Sequence, residues 1–287
     1  MAGVEGRVVV VTGAGNGLGR EYAKTLAANG ALVVVNDLGG ARDGTGGSSA
    51  AADAVVEEIK AAGGEAVANY DSVATPEGGN AIVQTALDTW GKIDGVVANA
   101  GILRDKSFHK MTDDDWNAVQ QVHLYGAYYT IHAAWPHFRE QNHGRVMVAT
   151  STSGIYGNFG QANYGAAKLG LVGFINTLAI EGAKYNIKAN AVAPIAATRM
   201  TEDILPEETF AKLDPAYVAP VVAQLMTDEL QESGRVYIVG GGNVHSVMYY
   251  KNEGANFDHV PTLTEVAEQW AAINDWSSPK PGRNPVG

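Results

Sequence analysis

Short runs of consecutive apolar residues alternate along most of the chain with longer segments whose apolar positions recur every three or four residues. "RVVVVTG" predicts a strand ending in a turn, and "GLGREYAKTLAANGA" predicts the helix that follows, closed near Gly30. The pattern repeats. Strand "LVVVND" leads to helix "SSAADAVVEEIKAAGG", strand "EAVANYD" to helix "PEGGNAIVQTALDTWG", and "IDGVVANAG" reads as a fourth buried strand. One long helix is predicted over "DDDWNAVQQVHLYGAYYTIHAAWPHF", then strand "GRVMVATS", helix "YGAAKLGLVGFINTLAIEGAKY", strand "IKANAVAP" and a last strand in "GRVYIVGGG".

Strands separated by helices imply parallel pairing through right-handed crossovers. The expected fold class is therefore α/β, a Rossmann-like doubly wound parallel sheet with helices on both faces and ligands at the carboxyl ends of the strands. Residues 1–287 read as a single dinucleotide-binding and catalytic domain. Within it, about 195–232 is a proline-punctuated segment expected to cover the substrate, and 254–287 is a C-terminal extension with one amphipathic stretch, "TLTEVAEQWAAIND". No internal repeat is present.

Composition narrows the function. The chain has 287 residues, 35 glycines and 46% hydrophobic residues, which suits a compact domain with many tight turns. There is no cysteine, which excludes disulfides, thiolate metal sites and cysteine nucleophiles. A net charge of -11 opposes general binding to nucleic acid or anionic membranes. No signal peptide or long apolar span is visible, and a cytoplasmic location is expected.

"TGAGNGLG" joins the first strand to the first helix, with Gly13, Gly17 and Gly19 spaced as GxxxGxG around Asn16 and Leu18. Glycines there let backbone amides approach a pyrophosphate at a helix N-terminus; the same glycines also serve a turn that binds nothing. Asp37, at the end of the second strand, stands where a carboxylate accepts hydrogen bonds from an adenosine ribose and repels the extra phosphate of NADP. NAD is the expected cofactor. Asp71, followed by Ser72, is a candidate at the adenine, the alternative being an ordinary turn. Asn99, Ala100 and Gly101 close the fourth strand, where a small-residue wall would admit the nicotinamide half.

Ser151 ends the strand "GRVMVATS". Tyr164 and Lys168 stand four residues apart on the next helix and share a face. A phenol with its ordinary pKa of about 10 is a poor base at neutral pH, whereas a nearby ammonium and an oxidised nicotinamide favour its phenolate. Tyr164 can then exchange a proton with an alcohol or ketone while Ser151 holds the reacting oxygen. Taken alone, a tyrosine and a lysine at this spacing are also ordinary helix-start residues.

Together, "TGAGNGLG", "NAG", Ser151, "YGAAK" and "AP" with Thr198 resemble the short-chain dehydrogenase/reductase family over residues 5 to about 245. The resemblance implies Tyr164 as catalytic acid/base, Ser151 as its partner, Lys168 as ribose binder and depressor of the tyrosine pKa, and Pro194, Ile195 and Thr198 beside the nicotinamide. Two positions depart from the family pattern. His123, in "HLYG", stands where an asparagine normally bends the helix and seats a relay water; its other reading is a packed helix histidine. Ile195 replaces the usual glycine after Pro194.

"VNDLGG", "AGILRDKSF", "VHLYG" and "SGIYGNFGQANY" are similar to the hydroxyacyl-CoA dehydrogenase branch of that family. This implies a (3R)-3-hydroxyacyl-CoA substrate from fatty-acid or sterol side-chain breakdown. In "GILRDKSFHK", Arg104, Lys106 and Lys110 are candidates to meet the CoA phosphates, the alternative being solvated loop charges. A 17β-hydroxysteroid or other secondary alcohol is the alternative substrate, and a non-catalytic NAD-binding sensor or scaffold the alternative of another class. Small and apolar positions in "AYYTIHAAW" and "AAKLGLVGFINTLAIEG" suit pairing of two copies, and a homodimer is expected.

Overall fold

A computed structural model describes residues 3–196 and 213–282. Its contacts divide the chain into two compact units, Met1–His245 and Ser246–Gly287, whereas the sequence pattern suggests one domain with an extension from 254. In the first unit the elements run β1 (Val8–Thr12), α1 (Gly17–Ala28), β2 (Leu32–Asn36), α2 (Ala50–Ala61), β3 (Glu65–Asn69), α3 (Pro76–Trp90) and β4 (Gly95–Ala98). They continue with α4 (Asp113–Gln120), α5 (Gly126–Glu140), β5 (Gly144–Ala149), α6 (Thr152–Tyr156), α7 (Ala162–Gly182), β6 (Ile187–Pro194) and β7 (Val236–Gly240).

The sheet has the order β3-β2-β1-β4-β5-β6-β7, with an eighth strand, β8 (Asn243–Val247), beyond β7. Every pairing from β3 to β7 is parallel. The doubly wound expectation holds, and β8 is a strand that the sequence pattern did not signal, because its residues are exposed and largely polar. Strand order reverses between β1 and β4, so a crevice opens there at the carboxyl edge.

Valines cover both sides of the central strands. Val9, Val11, Val33 and Val35 join the core beneath α1 and α2, and the intervening Val8, Val10 and Val34 are equally buried, facing the other way by strand alternation. Helices α3, α5 and α7 pack against the sheet strands and, in the case of α3 and α5, each other. Helix α7 is long and apolar enough by length and composition to cross a membrane; Leu171, Val172 and Ile175 are buried against the fold, whereas Leu169 and Ile180 are exposed.

The long helix expected from Asp113 onward is interrupted. A single π turn, Gln121–Tyr125, separates α4 from α5 and carries His123. The segment expected to cover the substrate lies partly outside the described residues, as does Thr198. Its described end forms a helix at Ala219–Gln224.

In the second unit, β9 (Tyr250–Lys251) pairs antiparallel with β10 (Lys280–Pro281). The amphipathic stretch forms two short helices, Leu263–Glu268 and Trp270–Ile273, the first held by a capping box between Thr262 and Glu265.

Candidate active site

The end of β1 is locked to the end of β4 before any side chain reaches a ligand. Thr12 Oγ1 accepts the amides of Asn99 and Ala100, each at 3.1 Å. The Asn99 side-chain amide donates back to the carbonyls of Thr12 and Gly13 at 3.1 and 3.2 Å. Asn99 therefore shapes the glycine turn directly. Gly13 has φ of 65°, and a Cβ on Gly19 would stand 2.1 Å from the Gly13 carbonyl oxygen, so neither position tolerates a side chain without displacing the turn.

Asp37 follows β2, and its two carboxylate oxygens each accept one backbone amide, from Gly15 and from Gly39, both at 2.7 Å. The aspartate thus ties the glycine turn to a loop, Leu38–Ser48, that folds back on itself through Ser48 N donating to Leu38 O at 2.9 Å. Asp71 is held from the protein side by an amide pair. Asn36 Nδ2 donates to Asn69 Oδ1 at 2.8 Å and to Asp71 O at 2.9 Å, while Asn69 Nδ2 donates to Asp71 Oδ2 at 2.7 Å. Buried amides of this kind must be satisfied, and here they brace the ends of β2 and β3.

One cleft gathers these groups. It is lined by Gly13, Asn16, Gly17, Leu18 and Gly19, by Asp37, by Asp71 and Ser72, and by Asn99, Ala100 and Gly101. Loop residues Leu38, Ala41 and Gly44 form another wall. Ile195 instead lines a separate pocket with Leu213, Gly240 and His245, and its amide, just after Pro194, donates to Val239 O at 2.8 Å.

Ser151 caps α6, its hydroxyl accepting the amide of Ser153 at 3.1 Å. It also lies close enough to the Tyr164 phenol to influence its ionisation. Lys168, only 4% exposed, donates from Nζ to Ala149 O at 2.5 Å at the end of β5, and its ammonium lies 5.4 Å from the Tyr164 ring centroid. The three residues are thus joined around the end of β5 and the start of α7.

In the protein alone, burial dominates the electrostatics of this cluster. Burial pushes the Tyr164 phenol up to about 12; the Ser151 hydroxyl opposes the rise and the charge of Asp105 adds to it. Burial also brings Lys168 down to about 7. The tyrosine pKa is raised, not depressed, in the protein alone, because desolvation of a phenolate outweighs the Ser151 contact.

His123 is a packed residue, 3% exposed. Nε2 lies 2.8 Å from Ile102 O and 3.0 Å from Ile102 N. Its ring meets that of Tyr164 edge-on, with centroids 5.1 Å apart.

The segment Ile102–Lys106 runs from this ring to the start of α7. Asn163, fully buried, donates to Arg104 O and Asp115 O at 3.1 Å each. Gln161 donates to Asp105 Oδ2 at 2.7 Å, and the Lys106 amide to Gly160 O at 2.9 Å. Arg104 and Lys106 already have protein partners: Arg104 Nε donates to Asp43 O at 3.0 Å, and Lys106 Nζ meets Asp115 Oδ2 at 2.8 Å. Thr12, Asn36, Asn69, Gln161 and Asn163 were not singled out from sequence. Each lies beside a motif residue, but its partner is distant in the chain, so only the Thr and Asn positions at strand ends offered a signal.

With the geometry described, comparison with known proteins places the chain. Residues 7–209 match the short chain dehydrogenase family. A short-chain type dehydrogenase/reductase of Mycobacterium tuberculosis is 66% identical over 280 residues, covering 98% of each chain. The peroxisomal multifunctional enzyme type 2 of Mus musculus is 52% identical over 96% of this chain, which spans only 37% of that protein. The solved full-length peroxisomal multifunctional enzyme type 2 of Drosophila melanogaster superposes with a TM-score of 0.82 at 41% identity, over 98% of this chain and 47% of that one. The glycine turn, the Asn99 lock and the Ser151, Tyr164 and Lys168 cluster thus sit in a protein that belongs to the short-chain dehydrogenase family.

Proposed function

We propose that the protein is an NAD-dependent dehydrogenase that interconverts a secondary alcohol and its ketone, with a (3R)-3-hydroxyacyl-CoA as the substrate class. The observation that carries this reading is the joining of Ser151, Tyr164 and Lys168 at the carboxyl edge of the sheet.

The cleft residues fit a dinucleotide. Helix α1 begins at Gly17 with no side chain capping its first amides and no acidic residue in its first turn, which leaves N–H groups and a positive dipole end for a pyrophosphate. Asp37 and Asp71 supply acceptors further along the cleft, and the charge of Asp37 opposes a ribose phosphate, supporting NAD over NADP. A nicotinamide held here would supply the hydride chemistry. Tyr164 Oη donates its proton to the ketone oxygen in reduction and takes the alcohol proton in oxidation. With the phenol held near 12, the protein alone favours the donating form. Ser151 is placed to orient the reacting oxygen, and Lys168 lies beside the phenol on the same helix.

The substrate class rests on the likeness to multifunctional enzymes and on an apolar rim. Phe108, Tyr156 and Phe159 are all largely exposed, on the two segments that the Lys106–Gly160 hydrogen bond draws together. Such a rim suits an acyl chain. Exposed Tyr128 on α5 and Leu169 and Ile180 on α7 support pairing of two copies as a homodimer.

The test is nicotinamide absorbance with NAD or NADP against (3R)- and (3S)-3-hydroxyacyl-CoA and a neutral 17β-hydroxysteroid. Preferential turnover of the 3R thioester with NAD is expected. Turnover of the steroid alone would replace the substrate class, and no turnover of any secondary alcohol would leave the dehydrogenase reading without support.

A further inference from the structure

Three structural features meet at His123. The ring sits in the π turn Gln121–Tyr125, and such turns occur often at functional sites. Nε2 contacts both polar atoms of Ile102, the amide nitrogen at 3.0 Å and the carbonyl oxygen at 2.8 Å. The ring stands at 87° to that of Tyr164. Space for it depends on residue 101 being glycine, because a Cβ there would lie 2.3 Å from His123 Cε1. Gly101 and Ile102 also line the cleft.

The surroundings do not suit a proton carrier. Burial and the nearby Lys168 charge hold the imidazole well below its ordinary pKa, so the ring is neutral at physiological pH. Its Nδ1 is buried with no hydrogen-bond partner among the described residues. The other nitrogen, Nε2, is engaged with the Ile102 backbone.

We propose that His123 is a positioning residue: it pins the Ile102 peptide at the cleft wall and braces the Tyr164 ring edge-on, so that the phenol oxygen stays at Ser151. The inference rests on the proton exchange proposed at Tyr164. Its physical content is that a displaced donor loses turnover while the rest of the binding surface survives. The segment after Ile102 is tied to the start of α7 through Asn163, Gln161 and Gly160, so the ring joins the cleft to the helix bearing the phenol.

The experiment compares wild type, His123→Ala, His123→Gln, Gly101→Ala and the Gly101→Ala/His123→Ala double variant. Each is assayed with NAD and (3R)-3-hydroxybutyryl-CoA, and NADH affinity is measured separately by fluorescence titration. His123→Ala is expected to lower kcat about tenfold or more, with KM for the thioester and Kd for NADH within about twofold. His123→Gln, whose amide offers both a donor and an acceptor to Ile102, recovers most of the loss. Gly101→Ala lowers kcat with the imidazole intact, and the double variant is no worse than His123→Ala, since removing the ring makes room for the methyl group.

A His123→Ala kcat within about twofold of wild type overturns the proposal. So does a His123→Gln loss as deep as that of His123→Ala, which favours a proton relay, or a parallel loss of NADH affinity, which makes the role general to the fold. If His123→Ala fails to fold, His123→Gln and Gly101→Ala decide the matter by the same criteria. A wild type without turnover on any secondary alcohol overturns the proposed function and this inference together; an active wild type with an unaffected His123→Ala overturns the positioning role alone.

Discussion

The ammonium of Lys168 lies 5.4 Å from the centroid of the Tyr164 ring, one turn away on α7, while Nζ donates to the Ala149 carbonyl at the end of β5. The lysine is anchored to the sheet and the tyrosine follows it through the helix. Proximity of the two does not by itself make the tyrosine acidic, because both are desolvated: the phenol rises to about 12 and the ammonium falls to about 7.

Tyr164→Phe removes the hydroxyl proposed to exchange the proton. Turnover should fall about 10²–10⁴-fold, the usual worth of a positioned acid or base, with NADH affinity little changed. A variant retaining wild-type kcat would exclude Tyr164 as the proton donor.

Lys168→Met reports on the buried charge. The lysine has a pKa of about 7 in the folded protein against 10.5 as the ordinary value, so between these the unfolded chain holds the extra proton and stability rises with pH. The cost of burial is fully present below about pH 7 and disappears as the pH climbs toward 10. The variant should therefore melt several degrees above wild type at pH 6, with the gap narrowing by pH 9; a gap that does not change between those conditions contradicts the assignment.

Asp37→Ala tests cofactor choice. The carboxylate serves the amides of Gly15 and Gly39 and stands where a ribose binds in this fold. A hydrogen bond to a charged group contributes about 1.5–3 kcal/mol, so the preference for NAD over NADP should drop by about tenfold or more. An unchanged ratio of kcat/KM for the two nucleotides would remove Asp37 as the selector.

Phe159→Ser probes the apolar rim. Losing an exposed aromatic surface proposed to meet an acyl chain should raise KM for a long-chain thioester about tenfold and leave that for the four-carbon thioester unaltered. Equal effects on both chain lengths would place the acyl chain elsewhere.

Arg145→Met addresses the opposite edge of the sheet. This buried guanidinium donates to four carbonyls, those of Thr227, Gly144, Asn186 and Asp228. Leaving them without donors should cost about 3 kcal/mol or more in chemical denaturation, with kcat of the folded enzyme preserved. Stability equal to wild type would mean that other donors replace the guanidinium.

The alternation of apolar runs and helical periods, local by nature, was enough to specify strands β1 to β7 and the parallel sheet, because strands separated by helices pair in parallel through crossovers. The same local reading placed the glycine turn, Asp37, Ser151, Tyr164 and Lys168 at strand ends and a helix start. It did not anticipate the π turn at Gln121–Tyr125, since a continuous helix satisfies the same apolar pattern. Nor did it anticipate the partners of Asn99, Asn163 and His123, which come from chain segments far from each of them.

Sequence alone therefore determined which residue types stand at which end of which element. Only the tertiary structure decided how the protein itself acts on these groups: burial of the phenol and the ammonium, a property of packing that no residue spacing encodes, raises the first and lowers the second. It likewise decided that Arg104 and Lys106 meet protein groups, because their partners Asp43 and Asp115 reach them across folded loops.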